Sequence, residues 1–344
     1  MKRLILLVLI STAVVLYGGG CSPIPTAPAP EHPTTDATSG AEAASTQTPT
    51  AATGPTPTSQ PTESPVQLVW TIPVEPKHSS IPDGVAVDRQ GNLFVAVSGL
   101  DQIQKFDSEG HIITTWGSTG KENGQFDCRA ICMLAVDAQG NVYVTDNDNA
   151  RVQKFDNGGG FLTKWGRLGS SAGQFNGPFG VAVDGQGNVY ITDVGNARVE
   201  KFDSDGKFLL KFGLAGSGDG GFSSELADVA IDTQGNIYVT DRQNGLQKFD
   251  SSGQFVARLS DCGGNLFYSA TGIAFDAQGN LYVSDLQNHH ICKFDPNGQF
   301  VNSWNPSTDP RFAAPNVGGI AVDQQGNIYV SQFFDGLVLK FRQH

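Results

Sequence analysis

Along most of the chain apolar and polar residues alternate with a period of two, in short runs broken by Gly, Asn and Asp. That pattern predicts short β-strands packed on both faces and joined by tight turns, without helical periodicity. One phrase occurs six times: GVAVDRQGNLFV from Gly84, LAVDAQGNVYVTD from Leu134, VAVDGQGNVYITD from Val181, VAIDTQGNIYVTD from Val229, IAFDAQGNLYVSD from Ile273 and IAVDQQGNIYVSQ from Ile320. Its aspartates, Asp88, Asp137, Asp184, Asp232, Asp276 and Asp323, are spaced by 49, 47, 48, 44 and 47 residues. A second phrase follows each copy: QKFD three times, EKFD, CKFD and finally LKFR. A third, Gly-x-Phe or Gly-x-Ile leading to an aromatic residue, completes most units.

Each unit therefore holds four short strands. Asp-x-x-Gly-Asn suits a hairpin in which the Asp side chain caps the backbone and Gly takes positive φ. Four strands per roughly 47 residues, repeated without helices, describe the blades of a β-propeller. The 278 residues from Gln67 to His344 divide into six blades. The last unit stops at LVLKFRQH with three strands, and the run QLVWTIPV from Gln67 has the character of the missing fourth. The expected fold is all-β, a six-bladed propeller of four-stranded blades closed by the N-terminal strand joining the last blade.

The phrases G-[VI]-A-[VF]-D, G-N-x-Y-V-[TS]-D and N-x-R-[VI]-[QE]-K-F resemble the NHL repeat, and the resemblance covers nearly all of residues 75–344. It implies a six-bladed propeller, in agreement with the direct count. It does not imply one function, because NHL proteins include scaffolds, sensors, RNA binders and a lyase.

The front of the chain has a different character. Lys2 and Arg3 precede an apolar run from Leu4 to Tyr17 and then Gly18, Gly19, Gly20 and Cys21. The run is shorter than the roughly 20 residues of a membrane-spanning helix and reads as a secretory signal. Its end resembles the lipobox of bacterial lipoproteins, with Gly18 where that motif usually has Leu, so residues 1–21 are expected to be a lipoprotein signal with Cys21 as the lipidated residue. Residues 22–66 hold ten of the 18 prolines and are otherwise mostly Thr, Ala, Ser and Gly. Such a segment buries too little surface to fold and is expected to be a disordered linker spanning roughly 35–40 Å as a coil. The expected setting is the extracytoplasmic side of the cell envelope, on a lipid anchor.

Charge narrows the partners. The net charge is −12; without the two cations and four acids that precede Gln67, 20 Lys+Arg face 30 Asp+Glu, a balance of −10. That surface repels phosphate backbones, so no nucleic-acid partner is expected. Four cysteines follow Cys21, and an even count in an exported chain suggests disulfides. Of three connectivities, Cys128–Cys132 within one inter-blade loop and Cys262–Cys292 across neighbouring units are favoured, with buried free thiols as the alternative.

Binding residues are sought where the repeat varies. The loops after each second strand read VSGLDQ, DNDNAR, DVGNAR, DRQNG, DLQNHH and QFFDG. Their candidates are Asp146, Arg151, Asp193, Arg198, Asp241, Arg242, Asp285 and His290, with Phe333 and Phe334 as an apolar patch; the competing reading has the Asp residues capping loops and pairing with the Arg residues across neighbouring blades. The six lysines of the Lys-Phe phrase recur in every blade and read as structural, their stems packed between sheets and each ammonium on an acid. Of six histidines only His289 and His290 lie in such a loop, and the NHL-like lyases, which gather several histidines around a central metal, have a set this chain lacks. No catalytic residue, metal site or cofactor is predicted. Calcium is the one ion a ring of carboxylates would suit, but no oxygen-ligand loop of recognisable spacing appears. The expectation is a monomeric, non-catalytic scaffold for a protein, peptide or glycan, the alternative being a lyase or hydrolase at the central mouth.

Overall fold

The computed structural model describes residues 66–74, 81–128, 132–306, 317–333 and 336–343. Calls on Cys21, the signal, the linker and Phe334 lie outside these residues. Within them the chain forms six four-stranded antiparallel sheets. Blade 1 comprises Pro82–Val87, Leu93–Val97, Gln102–Phe106 and Ile112–Trp116. Blade 2 comprises Leu134–Val136, Val142–Asp146, Arg151–Phe155 and Phe161–Trp165. Blade 3 comprises Pro178–Val183, Val189–Asp193, Arg198–Phe202 and Phe208–Phe212. Blade 4 comprises Leu226–Ile231, Ile237–Asp241, Gly245–Phe249 and Phe255–Leu259. Blade 5 comprises Ala270–Phe275, Leu281–Asp285, His290–Phe294 and Phe300–Trp304. Blade 6 takes Val317–Val322, Ile328–Gln332 and Leu337–Gln343 from the end of the chain, and its outer strand, Val66–Pro73, from the start. The ring closes as the sequence predicts.

The first strand of every blade is innermost, and each inner strand packs against the next around the ring, blade 6 returning to blade 1. Their Val-Ala-Val segments line an apolar axial channel. Second strands are buried along their whole length, whereas outer strands alternate half-buried and exposed positions. Burial is thus continuous where sheets face each other on both sides, and an alternating pattern emerges toward the rim.

The repeated turn follows its expected chemistry. In blade 1 the Asp88 Oδ1 accepts the backbone N–H groups of Gln90 and Asn92 at 3.0 and 2.9 Å, and Asn92 donates its side-chain amide to Oδ2 at 2.8 Å. Gly91 has φ +81°, a conformation that costs an L side chain about 1 kcal/mol or more.

The recurring lysines are structural, but their ammonium groups mostly do not find acids. Nζ of Lys105, Lys154, Lys201, Lys248, Lys293 and Lys340 lies 4.9–5.4 Å from the ring centre of the Phe or Tyr beside it on the second strand. Lys154 and Lys340 also donate to the Ser204 and Ser108 carbonyls, 3.1 Å each. Lys201 has an acid nearby, Asp184 at 3.8 Å. Desolvation near the blade interface favours a polarisable ring and a neighbouring blade's carbonyl over a second buried charge. The rings are themselves anchored: Tyr143, Tyr190, Tyr282 and Tyr329 donate to the turn aspartates at 3.0–3.1 Å.

Two disulfides are present. Cys128–Cys132 lies in the connection from blade 1 to blade 2, and Cys262–Cys292 ties the connection from blade 4 to the third strand of blade 5.

Candidate ligand-binding mouth

Both hairpin turns of each blade lie on one face of the ring. The other face carries the second-strand loops and the connections between blades. In blade 2 the loop is bounded by a paired Asp146 and Arg151. Asp146 is fully buried. Its Oδ1 accepts the Asp127 N–H and the Asn149 side-chain amide, 2.9 Å each, and its Oδ2 accepts Arg151 Nε at 2.6 Å. Arg151 then donates to the carbonyls of Lys121, Glu122 and Gln125, at 2.6, 3.0 and 2.8 Å. One arginine thereby clamps the connection from blade 1 onto blade 2.

Blade 3 repeats the device. Arg198 bonds Asp193 at 3.1 Å and donates to the carbonyls of Ser170, Ser171 and Gln174 at 2.5, 3.0 and 2.7 Å. It also pairs with Glu200 at 2.8 Å. Burial pushes the Asp146, Asp193 and Glu200 carboxyls above their ordinary range, while the arginines pull them back. Asp241 and Asp285 hold the Ser223 and Ser269 backbone N–H groups at 2.6 and 3.0 Å. Six residues expected to present a binding surface, Asp146, Arg151, Asp193, Arg198, Asp241 and Asp285, are thus turned into the fold. Connection carbonyls and amides 16–30 residues upstream take up their hydrogen bonds.

Blade 4 departs from this plan. Its loop is one residue shorter, so Asp241 pairs with Gly245, which occupies the arginine position with φ +76°. A left-handed backbone there selects Gly and removes the clamp side chain. The clamp is instead supplied by Arg258 on the outer strand, which donates to the carbonyls of Asn244, Ser217 and Gly218 at 3.2, 3.1 and 2.9 Å. The corresponding outer-strand residues of blades 2 and 3 are Lys164 and Lys211.

Arg242 is left over. Its backbone N–H donates to the Glu225 carbonyl at 3.1 Å. Its guanidinium lies 6.0 Å from the centre of the Phe179 ring, and Nε is buried without a hydrogen-bond partner. Among the described residues it forms no ion pair, and burial lowers its pKa from the ordinary arginine value. It lines a narrow cavity at the axial mouth together with Met133, Phe179, Asp228, Thr271 and Phe333.

Asp228 carries the other charge at this mouth. It is buried, accepts the Val229 N–H at 2.9 Å, and desolvation pushes its pKa up to about 7. The blade 3 inner strand approaches it so closely that a Cβ on Gly180 would stand 2.7 Å from the Asp228 Cα. Asp83 of blade 1 is also buried; it accepts the Ser98 hydroxyl on Oδ2, leaves Oδ1 without a partner, and is pushed by burial up to about 8.

The other sequence candidates are dispersed. His290 is half-buried and pairs in the ladder with Asp285, after His289 at φ +57°. Phe333 reaches the mouth. Among the described residues one grouping is compact enough for a metal ion, Asp107, Glu109 and His111, on the hairpin face away from the mouth. Met133, Phe179 and Asp228 were not singled out from the sequence. The signal for two of them was a break in the repeat: Met133 and Asp228 stand where the other four units have Gly84, Gly180, Gly272 and Gly319.

With this geometry described, the chain can be compared with known proteins. The NHL repeat model matches residues 134–155, 175–202 and 267–294. No curated protein matches by sequence. Among solved structures, a streptogramin B lyase aligns at 16% identity and TM-score 0.58, covering 80% of this chain and 98% of its own. Virginiamycin B lyase from Staphylococcus aureus aligns at 13% identity and TM-score 0.58, covering 81% and 100%. A structural genomics protein of unknown function from Bacteroides thetaiotaomicron aligns at 16% identity and TM-score 0.60, covering 81% and 72%. At these identities the likeness is one of fold.

Proposed function

For a chain of NHL repeats closed into a six-bladed propeller, we propose the role of an exported, lipid-anchored binding scaffold that takes a protein, peptide or glycan on the face of its second-strand loops. The observation that carries this reading is Arg242, a half-buried cation whose Nε has no partner in the fold, set at the axial mouth beside an aromatic ring. The same face exposes Leu168, Leu214, Leu266 and Tyr268 on successive inter-blade connections. Apolar anchors around a half-buried arginine are the composition of a recognition surface. Anchoring follows from the basic, apolar and glycine-ended leader and Cys21.

The test uses the full-length chain as bait on envelope extracts, beside a Leu214→Glu/Tyr268→Ser variant. A partner lost with the variant, at unchanged melting temperature, supports the scaffold; an identical captured set from both rejects this face. Radiolabelled palmitate incorporated by the wild type and lost in Cys21→Ser would support the anchor, and equal labelling would remove it.

A second reading is favoured by Asp228, a carboxyl poised near neutrality at the mouth, and by the lyases among the structural neighbours. Incubation with virginiamycin B, followed by chromatography, separates the two. Turnover that disappears in Asp228→Asn would establish an enzyme.

A further inference from the structure

We infer that the axial mouth recognises a carboxylate, held by Arg242 with an apolar group of the same ligand beside Phe179 and Phe333. The inference rests on the scaffold reading and names the chemistry that its central site selects.

Three other arginines on this face are held by the fold. Arg151 and Arg198 each satisfy a buried aspartate and three carbonyls, and Arg258 three carbonyls. Arg242 has no such duties. Its Nε is buried without an acceptor although the residue as a whole is only half-buried, and a buried donor left unpaired is unfavourable until an acceptor reaches it. The chain carries ten more acids than cations from Gln67 onward, yet among the described residues none lies within ion-pair distance of Arg242. Its electrostatic partner Glu225 acts only at longer range. An anionic oxygen entering at the mouth satisfies that donor and pairs with the charge.

Geometry selects the class of anion. The Phe179 ring centre lies 6.0 Å from the guanidinium carbon, and the planar donor fork of an arginine favours a planar, two-oxygen partner over a point charge. The enclosed space admits about one water-sized group, so a ligand reaches the Arg242 Nε with a single terminal oxygen while the rest of it stays in the open mouth. Met133, Phe179 and Phe333 surround it with apolar surface, so a carboxylate next to an aromatic or aliphatic group gains more than a bare ion. Asp228, also at the cavity, carries a carboxyl held near neutrality by burial, and in its protonated form it donates to a ligand oxygen.

Isothermal titration of the full chain with N-acetyl-phenylalanine, and with its amide as the uncharged control, tests this. The acid is expected to bind at least tenfold more tightly than the amide. Arg242→Gln is expected to abolish that preference at an unchanged melting temperature, and Arg167→Gln, on an exposed connection of the same face, to retain it. Equal affinity for acid and amide, a preference that survives in Arg242→Gln, or no binding of either probe overturns the inference. Equal binding of both probes that is lost in Phe333→Ala removes the carboxylate while leaving a ligand-binding mouth. Conversely, a carboxylate preference alongside an unaltered set of captured partners in Leu214→Glu/Tyr268→Ser removes the scaffold face and keeps the anion site.

Discussion

Blades 2 and 3 begin their third strands with an arginine that is locked into the preceding connection, and blade 4 begins its third strand with Gly245. All three loops contain an Asp and an Arg within six residues. The loops differ in length by one residue and in where the arginine falls: it follows the loop at the first strand position in blades 2 and 3 and stands directly after the aspartate in blade 4. In the longer loops the left-handed position falls on Ala150 or Ala197, one place before the strand, and leaves the pairing position free for Arg151 or Arg198. In the shorter loop the left-handed position and the pairing position coincide, so Gly occupies both. Arg258 then clamps from the next strand, and Arg242 is released toward the axis. Residue type does not assign a role here; backbone geometry does.

The largest way to break this comparison is to remove a clamp. Arg151→Ala leaves Asp146 buried without its counter-charge and the Lys121 carbonyl without a donor, and is expected to cost about 3–5 kcal/mol. Arg242→Ala removes no fold contact beyond the ring stack and should stay within about 0.5 kcal/mol. Urea titration of the two variants and the wild type measures both. Equal costs would erase the distinction between clamped and released arginines.

Acidity separates the regions in a second way. The Asp228 and Asp83 carboxyls titrate at about 7 and about 8 in the folded chain, against roughly 3.9 when unfolded. The folded state therefore keeps protons that the unfolded state has lost, and stability falls as pH rises from about 4 through 7 and 8. The slope is about 1.4 kcal/mol per pH unit for each such proton. Asp228→Asn should match the wild type near pH 4, exceed it in stability at pH 8, and flatten the intervening slope. A variant whose stability runs parallel to the wild type across this window would show that Asp228 is ionised throughout.

Much of the architecture was legible because it depends on local chemistry. The Asp-x-x-Gly-Asn turns, the missing fourth strand of the last unit and the run around Trp70 that fills it are each contained in a few consecutive residues. The lysine ammonium groups were misassigned to acids, because their partners, such as the Ser204 carbonyl for Lys154, lie in the next blade, 50 residues away. The mouth was legible only in part. Arg242 and Phe333 belong to the variable loops, but the arginine clamp on the connections could not be read from either loop alone. Phe179, Met133 and Asp228 sit on inner strands, where the repeat looks constant and attention to loops passes over them.

A smaller effect sharpens the account of the short loop. Gly245→Ala places a Cβ in a left-handed conformation, 3.4 Å from the Leu259 carbonyl, and should cost about 1–2 kcal/mol. The same change at a position with ordinary φ, such as Gly185 with nothing within 4 Å, should be neutral or slightly stabilising. Thermal melts of both variants make the comparison, and equal shifts would mean that the left-handed backbone is not what excludes a side chain at 245.

The smallest expected effect concerns the substitute clamp. Arg258 donates to three carbonyls as Arg151 does, but it lacks a buried aspartate and its side chain is about a quarter exposed. Its 3.8 Å contact with the exposed Asp219 is screened and adds little. Arg258→Ala is therefore expected to cost about 0.5–1 kcal/mol, well below Arg151→Ala, because exposed carbonyls that lose a donor regain water. Combined with Arg242→Gln, its cost should be additive within about 0.5 kcal/mol, since the two arginines share no acceptor. A coupling energy above 1 kcal/mol in that double-mutant cycle would place Arg242 inside the clamp after all, and the half-buried cation would then be part of the blade's support.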